Sequence, residues 1–364
     1  MKDAASRSPD ITISADIARA RTLPGSFYSD PQIFERCRDR VFAPSWQVVG
    51  HAEDLKVPGA VRPASLLEGA FDEPLLLTRD RDDRLHCVSN VCTHRGALVC
   101  EAGGVESVLR CRYHGRRFRL DGSFLSMPEF DGVEEFPSEA DDLPAVGFGE
   151  WRKFLFASLE PARSLEELVA EMERRVGWLP IEEAVFDPAR SRDYLVRANW
   201  ALYCDNYLEG FHIPYVHAAL ADSVDYDTYA VETFDAGVLQ IGYAAGAEES
   251  MSPPEGHPEH GRRVVAYYFW LFPNLMFNFY TWGVSLNLVK PLAVDRTKVS
   301  FLTWSWDPKA PEAYSTDRVE REDEAVVESV QQGVSSRLYD RGRYSPAREP
   351  GVHHFHRLLA AALA

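Results

Sequence analysis

Two short segments of the chain each offer one cysteine and one histidine at the spacing of metal ligands. The first reads Cys92-Thr93-His94, and the second, Cys111-Arg112-Tyr113-His114, follows after sixteen intervening residues. Each follows a β-like run, and Gly96 and Gly115 supply permissive backbone beside the ligands. Zinc fingers usually pair Cys with Cys and His with His, so structural zinc is the weaker alternative. Mixed ligands in both loops favour an iron–sulfur cluster in which one iron takes two cysteines and the other takes two histidines.

A second group of potential ligands follows about a hundred residues later. His212 and His217 lie five residues apart, and Asp205 and Glu209 precede them. If residues 201–213 are helical, steps of seven and three residues bring both carboxylates near the face of His212. An isolated pair of histidines would more often be structural, but the cluster motif in the same chain favours a metal. Two histidines and one carboxylate on one face of a ferrous ion leave the opposite positions open for oxygen and substrate.

The missing carboxylate is sought in a predicted helix over about residues 312–334. Asp323 lies among its apolar positions, and a buried carboxylate there implies a cation partner. Asp323 is therefore the predicted third ligand, with Glu320 as the second choice, whereas Glu324 and Glu328 are predicted to face solvent. The apolar positions are Val319, Val326, Val327, Val330 and Val334.

The overall composition indicates a soluble chain of about two domains. It has 364 residues and a formal net charge of −17, which disfavours nucleic acid and anionic membranes as partners. The sequence contains neither a run of 18 apolar residues nor the apolar stretch of a signal peptide, so a cytoplasmic location is expected. Six cysteines are too few for a disulfide scaffold, and grouped cysteines in a reducing compartment indicate metal ligation.

Hydrophobic patterning predicts an α+β protein with an inserted β domain. An N-terminal segment, residues 1–45, contains one amphipathic helix and packs on the catalytic domain. Residues 46–160 carry short β-rich pieces separated by Gly, Pro and Asp turns, which indicates an all-β domain. Residues 161–364 begin with a Ser-capped helix and continue with strands and a late helix, which predicts the α+β domain with an antiparallel sheet.

Three further features bear on the substrate pocket or on additional metal sites. Residues 267–282 hold nine aromatic side chains, which form sheet core or, in part, a cation–π cage for a quaternary ammonium. Phe211 and Tyr215 adjoin the potential ligands and are predicted pocket walls. The His-rich run at residues 353–356 could suggest a third metal site, but a packing or surface role is favoured because no Cys or acidic partner adjoins it.

The cluster-binding segments resemble those of a known protein family. CTHRG and CRYHGRRF are similar to the two cluster-binding loops of Rieske 2Fe-2S proteins, and this resemblance implies Cys92, His94, Cys111 and His114 as ligands. The one departure is Arg116, where many relatives carry Trp after His-Gly; Arg at this position could change partner docking or the reduction potential. Cys87 and Cys100 have no partner at ligand spacing and are interpreted as buried hydrophobes.

Taken together, the two sites resemble the catalytic α subunits of Rieske non-haem iron oxygenases over nearly the whole chain. The resemblance implies His212, His217 and Asp323 as ligands of a mononuclear Fe(II) and Glu209 as an acidic bridge toward a cluster histidine of the neighbouring subunit in a homotrimer. Many aromatic-ring dioxygenases have Asp at the bridge. Glu209 and the segment NYLEGFHIPYVH look more like the choline, carnitine and glycine-betaine monooxygenases.

The resemblance also implies the reaction and the partners. No G-x-G-x-x-G fingerprint follows a strand, so an NAD(P)H-dependent reductase with its flavin must be a separate protein. That reductase would pass single electrons to the 2Fe-2S cluster and on to the iron, where O2 hydroxylates, or N-demethylates, a small quaternary or methylated amine. An aromatic-ring-hydroxylating oxygenase is the alternative enzyme, and a non-catalytic electron-transfer protein is the alternative of another class.

Overall fold

The computed structural model describes residues 11–217, 229–244, 246–247, 249–307 and 317–364. The chain divides into two compact units. One consists of residues 43–165, and the other combines residues 1–42 with residues 166–364. These boundaries lie within a few residues of the predicted division at 45/46 and 160/161, and the α+β class with an inserted β domain is confirmed.

The inserted unit contains only β-strands and short 3₁₀ turns among its regular elements. Its strands form a three-stranded sheet β1-β10-β9, a four-stranded sheet β4-β3-β2-β5 and a three-stranded sheet β6-β7-β8, each antiparallel. The strands are β1 Gln47–His51, β2 Ala60–Leu66, β3 Glu73–Arg79, β4 Leu85–Ser89, β5 Gly104–Val105, β6 Leu109–Arg110, β7 Arg117–Phe118, β8 Phe124–Ser126, β9 Gly147–Trp151 and β10 Phe154–Ser158. The first cluster loop therefore follows β4, and the second connects β6 to β7.

The catalytic unit is built around one antiparallel sheet in the order β11-β18-β17-β16-β15-β14-β13, with β12 also pairing with β18. Alternate aromatic residues of the 267–282 segment, including Tyr267 and Phe269, are fully buried, so sheet core is the correct interpretation for much of that segment. The strands are β11 Val185–Phe186, β12 Arg192–Val196, β13 Ala230–Phe234, β14 Gly237–Tyr243, β15 Val264–Leu271, β16 Leu275–Tyr280, β17 Gly283–Ala293 and β18 Arg296–Ser305.

The helices lie in the catalytic unit, and one of them carries Asp323. The predicted N-terminal helix is present as α1, continued by a π-helical turn over Arg38–Phe42. The helices are α1 Pro31–Cys37, α2 Leu165–Val176, α3 Trp200–Tyr207, α4 Ile213–Val216, α5 Asp317–Val334 and α6 Pro350–Leu363. Within the described ranges, no helix is long and apolar enough to cross a membrane.

Residues 201–213 do not form one continuous helix, so the condition under which Asp205 and Glu209 would both lie near His212 is not met. Helix α3 begins after Asn199, whose side chain accepts a hydrogen bond from the Ala201 backbone N–H, and it ends at Tyr207. A turn containing Gly210 separates it from α4. Residues before and after this break therefore need not share one helix face, which changes the neighbours of Asp205.

Within the catalytic unit, the N-terminal segment and the C-terminal helix α6 both contact α3. The Tyr28 hydroxyl donates to Asp205 Oδ2 at 2.9 Å, and His356 Nε2 lies 2.7 Å from Asp205 Oδ1. His356 Nδ1 in turn lies 2.7 Å from the Tyr344 hydroxyl. Because His356 is 1% exposed, the His-rich run has a packing role at this position.

Candidate metal centres

The two cluster loops share one backbone design. In the first loop the Gly96 N–H donates to the Cys92 carbonyl at 2.9 Å, and in the second the Gly115 N–H donates to the Cys111 carbonyl at 3.0 Å. Both glycines have positive φ, of 71° and 75°, a conformation that disfavours a side chain. Each loop thereby turns back on itself directly after its cysteine, as the sequence suggested.

The side chains of these loops converge. Cys92 and Cys111 are buried at 3% and 2% exposure and belong to the same hydrophobic cluster. The rings of His94 and His114 lie 4.7 Å apart, and His114 is exposed. Burial raises the pKa of Cys92, and burial together with neighbouring His114 lowers the pKa of His94. Neutral imidazoles are the form that ligates metal. The donor set fits a 2Fe-2S cluster with buried sulfur ligands and outward histidines.

The second centre gathers three side chains from two distant segments. His217 Nε2 lies 3.0 Å from Asp323 Oδ1, and His212 Nε2 lies 3.4 Å from the same oxygen. All three ligand atoms are within 4.8 Å of one another. Metal–ligand bonds of about 2.1 Å meeting at right angles would place donor atoms roughly 3.0 Å apart, so the set fits one metal ion with ligands on one face.

A carboxylate orients each of the two histidines from behind. His212 Nδ1 lies 2.6 Å from Glu209 Oε1, and His217 Nδ1 lies 2.9 Å from Glu322 Oε2. Asp323 itself accepts a hydrogen bond from the Asn206 amide at 2.8 Å. These bonds turn both Nε2 atoms toward Asp323, as outer partners of metal ligands commonly do.

The electrostatics of this group are those of a cation site. Burial alone would raise the pKa of Asp323, but hydrogen bonds from His212 and His217 lower it to about 2. Burial alone would lower the pKa of His212, but Asp323 and Glu209 raise it to about 9. Carboxylates thus stabilise positive charge at this point, and a divalent metal ion would take the place of the protons.

The structure places Asp205 away from the group that contains His212. Its carboxylate binds Tyr28 and His356, whereas Glu209 is the acidic residue that reaches His212. The physical reason is the end of α3 at Tyr207, which removes the helical step of seven residues that would have aligned Asp205 with His212. The expectation that Asp205 lies beside His212 is therefore wrong.

The buried face of α5 also differs from the predicted one. Glu324 is 8% exposed and pairs with Arg321 at 2.8 Å, so its predicted exposure is wrong. Val330, predicted to lie on the apolar stripe, is 41% exposed. Polar partners cause the rotation: Gln331, for example, is buried because it accepts a hydrogen bond from the Asn199 backbone N–H at 2.8 Å.

Glu320, the second choice for the third ligand, has a different partner. The Tyr203 hydroxyl contacts both of its carboxylate oxygens, at 2.9 and 3.0 Å, and Glu320 is 6% exposed. Burial raises the pKa of Glu320 to about 8. Asp323, and not Glu320, has a carboxylate oxygen close to the Nε2 atoms of both histidines.

The predicted pocket walls are exposed. Phe211 is 39% exposed and Tyr215 is 81% exposed in the described part of the chain, so the described residues give no support to an enclosing role for Tyr215. Four tyrosines instead lie near one another at the C-terminal end of α3, namely Tyr207, Tyr229, Tyr268 and Tyr280. Burial and the nearby Tyr280, Tyr229 and Tyr268 raise the pKa of Tyr207 far above its usual value.

Sequence reasoning missed the partners of the ligand residues. Glu322 precedes Asp323 in the chain, and Asn206 follows Asp205. The sequence of a helix does not indicate which distant histidine or carboxylate such a polar residue will bind. For Glu322 the only available signal was its place next to Asp323 in the chain.

Comparison with known protein families supports both centres. Residues 45–137 match the model described as "Rieske [2Fe-2S] domain", and residues 181–364 match "Ring hydroxylating alpha subunit (catalytic domain)". Choline monooxygenase of Arabidopsis thaliana is 32% identical over 94% of this chain and 83% of that protein. The carnitine monooxygenase oxygenase subunit of Escherichia coli K12 is 31% identical over 97% of this chain and 98% of that protein.

Solved structures show the same architecture. The quaternary ammonium Rieske monooxygenase CntA, crystallised with L-carnitine, superposes with a TM-score of 0.79 at 26% identity, covering 98% of this chain and all of that chain. Naphthalene 1,2-dioxygenase of a Rhodococcus species has a TM-score of 0.73 at 19% identity, covering 94% and 93%, which shows the fold alone. With one domain for a 2Fe-2S cluster and another for a mononuclear iron, the chain belongs to the family of Rieske non-haem iron oxygenase α subunits.

Proposed function

We propose that this chain is the terminal oxygenase component of a monooxygenase for a small quaternary or methylated amine. The observation that carries the proposal is the convergence of His212, His217 and Asp323, in a chain whose relatives include choline and carnitine monooxygenases. In the proposed reaction one atom of O2 replaces a C–H hydrogen by hydroxyl. The other atom leaves as water, with two electrons supplied by NAD(P)H through a separate reductase and two protons taken up from the medium.

We assign the ligand roles by donor chemistry. Cys92, Cys111, His94 and His114 would hold the 2Fe-2S cluster, and His212, His217 and Asp323 would hold the ferrous ion. When bound, the cluster would supply single electrons and the iron would activate O2. Glu209 and Glu322 keep the two imidazoles oriented with Nε2 toward the metal position.

The proposal for an amine substrate is supported by the tyrosines at the C-terminal end of α3. Tyr268 and Tyr280 pair at 6.0 Å on neighbouring strands, and Tyr207 donates to Asn278 Oδ1 at 2.7 Å on the same sheet. The nearest atom to a Cβ placed on Gly210 would be Cε1 of Tyr229, at 3.2 Å, so a ring lies against the turn that carries Glu209 and His212. Uncharged aromatic faces attract quaternary ammonium ions.

The proposed bridging role of Glu209 also implies how the subunits are arranged. Glu209 reaches His212 within its own chain, and its bridging role requires a cluster histidine of another subunit beside it. We therefore propose a homotrimer, which light scattering of the purified protein tests through its mass.

A single-turnover assay tests the substrate class. The protein is reduced with dithionite, freed of excess reductant, and mixed with O2 and choline, carnitine, glycine betaine or naphthalene. We expect hydroxylated or demethylated amine, with formaldehyde where an N-methyl is attacked. Asp323→Ala is the control that should form none. A phenol or diol from naphthalene, without any amine product, would favour the ring-hydroxylating alternative instead.

A matched pair of ligands sharpens this test. 3,3-Dimethylbutan-1-ol has the shape of choline without its charge. If aromatic faces recognise the cation, choline should bind about 0.5–2 kcal/mol more tightly, since this is the range of single cation–π contacts. Equal affinity for the two compounds would contradict recognition of charge.

A further inference from the structure

A buried arginine lies directly behind the two cluster loops. Arg116 follows the second loop, and its side chain is 2% exposed although a guanidinium is always charged. Its Nη2 donates to Asp141 Oδ1 at 2.6 Å and to the Asp141 carbonyl at 3.0 Å. The Asp141 side chain is 19% exposed. The cationic end of the pair is therefore more deeply buried than the anionic end, which water partly screens.

Arg116 is connected to both loops. Its own carbonyl accepts the Cys111 N–H at 2.9 Å, and the Asp141 carbonyl that it binds also accepts the Thr93 hydroxyl of the first loop at 2.8 Å. Within the described residues its Nε has no hydrogen-bond partner. Substitution at this position would therefore affect the surroundings of both cysteines.

Aromatic rings enclose the guanidinium and continue to a cluster histidine. Its central carbon lies 4.9 Å from the ring centre of Phe124. Phe136, at 5.7 Å, contacts Phe130 at 4.9 Å, and Phe130 meets the ring of His94 at 5.5 Å. An apolar surrounding keeps the local dielectric low, so the charge of Arg116 acts strongly on nearby groups.

We infer that Arg116 tunes the cluster, raising its reduction potential through a buried positive charge while its bonds to Asp141 position the two loops. The inference rests on the proposed ligands Cys92, His94, Cys111 and His114. One electron entering from a reductant makes the cluster one unit more negative, and a cation held in a low-dielectric surrounding stabilises that added charge. A docking role for the guanidinium is excluded by its burial.

Three variants of the full-length, cluster-loaded protein test this inference. Arg116→Met removes the charge and keeps an unbranched side chain. Arg116→Lys keeps the charge but lacks the planar guanidinium with its several donors. Asp141→Asn removes the counter-charge with little change of shape. Each is titrated potentiometrically and followed by electron paramagnetic resonance. We expect the ratio of reduced to oxidised cluster at a fixed potential to fall about tenfold in Arg116→Met, or about 59 mV for a one-electron couple. The ratio should fall less in Arg116→Lys.

The sign of the Asp141→Asn shift separates electrostatics from simple damage. Loss of the negative charge should make the cluster easier to reduce, opposite to Arg116→Met, whereas a loosened loop would shift both variants in the same direction. Shifts of the same sign, or unchanged potentials, would overturn the inference. If Arg116→Met does not fold, Asp141→Asn decides alone, and an unchanged or lowered potential overturns it.

Failure of the underlying assignment would look different. Unsubstituted protein without a low-average-g rhombic signal would contradict the four proposed ligands. An intact signal with unmoved potentials would contradict only the role of Arg116.

Discussion

The two metal centres are constructed in different ways. The four proposed cluster ligands lie between residues 92 and 114, on loops that close through their own backbone hydrogen bonds. The three proposed iron ligands span residues 212 to 323, and they meet only because α5 packs beside α3 and the turn that follows it. The first centre is thus a local property of its sequence, whereas the second depends on tertiary packing and on acidic side chains that orient the histidines.

The largest expected effect is the selective loss of the second centre. Asp323→Ala removes the carboxylate that both Nε2 atoms approach, so the iron of the catalytic unit should be lost while the cluster spectrum stays unchanged. Iron analysis with paramagnetic resonance measures both. Glu328→Ala, on the same helix, is the matched control and should keep full iron. Full iron in Asp323→Ala would move the third ligand to another residue such as Glu320.

A smaller effect is expected when only an outer partner changes. Glu209→Gln should leave both metals bound but slow oxidation of the cluster in a single turnover by about 10–100-fold, the range typical of outer-shell changes. Glu322→Gln is the matched comparison, because it weakens the same kind of bond, to His217, without touching the proposed bridge. Equal cluster oxidation rates in Glu209→Gln and the unsubstituted protein would contradict the bridging role.

The buried carboxyl near the second centre should make stability depend on pH. Burial raises the pKa of Glu320 to about 8, so the folded protein binds its proton more tightly than the unfolded chain. Its stabilising contribution is full below the unfolded pKa, near 4.3, and is lost as pH rises toward 8.

Glu320→Gln carries no titrating group at this position. Urea unfolding of iron-free protein at pH 5 and pH 8 should therefore show a smaller loss of stability in the variant than in the unsubstituted chain. Identical losses would contradict a buried, neutral Glu320.

The smallest effect on the metals is expected from Asp205. Because this residue binds Tyr28 and His356 and not His212, Asp205→Asn should lower the free energy of unfolding by about 1–3 kcal/mol and leave the iron content unchanged. Thermal unfolding and iron analysis measure the two effects separately. Loss of iron with an unchanged free energy of unfolding would indicate that Asp205 contributes to iron binding.

The same contrast explains what could be predicted from the sequence. Cys92, His94, Cys111 and His114 are identified from spacing because each loop carries its own geometry. Asp323 could be selected as a ligand from its place among apolar helix positions and from the family resemblance, but Glu322 could not, since nothing in a helix sequence states which distant histidine it meets. The break after Tyr207 depends on a turn that helical periodicity does not reveal, and it places Asp205 against Tyr28 and His356 and away from His212.

Burial of charged residues was the other source of error. Glu324 is a hydrophilic residue whose partner, Arg321, allows it to leave water. An amphipathic pattern assigns such residues to the surface by default, because it counts the cost of burial and not the partner that offsets it.

The most direct test of two different metal centres in one chain is electron paramagnetic resonance of dithionite-reduced protein, combined with iron and acid-labile sulfide analysis. A low-average-g rhombic signal, with about three irons and two sulfides per chain, is the result expected from one 2Fe-2S cluster and one mononuclear iron. A silent spectrum from folded protein that contains stoichiometric zinc would contradict the assignment.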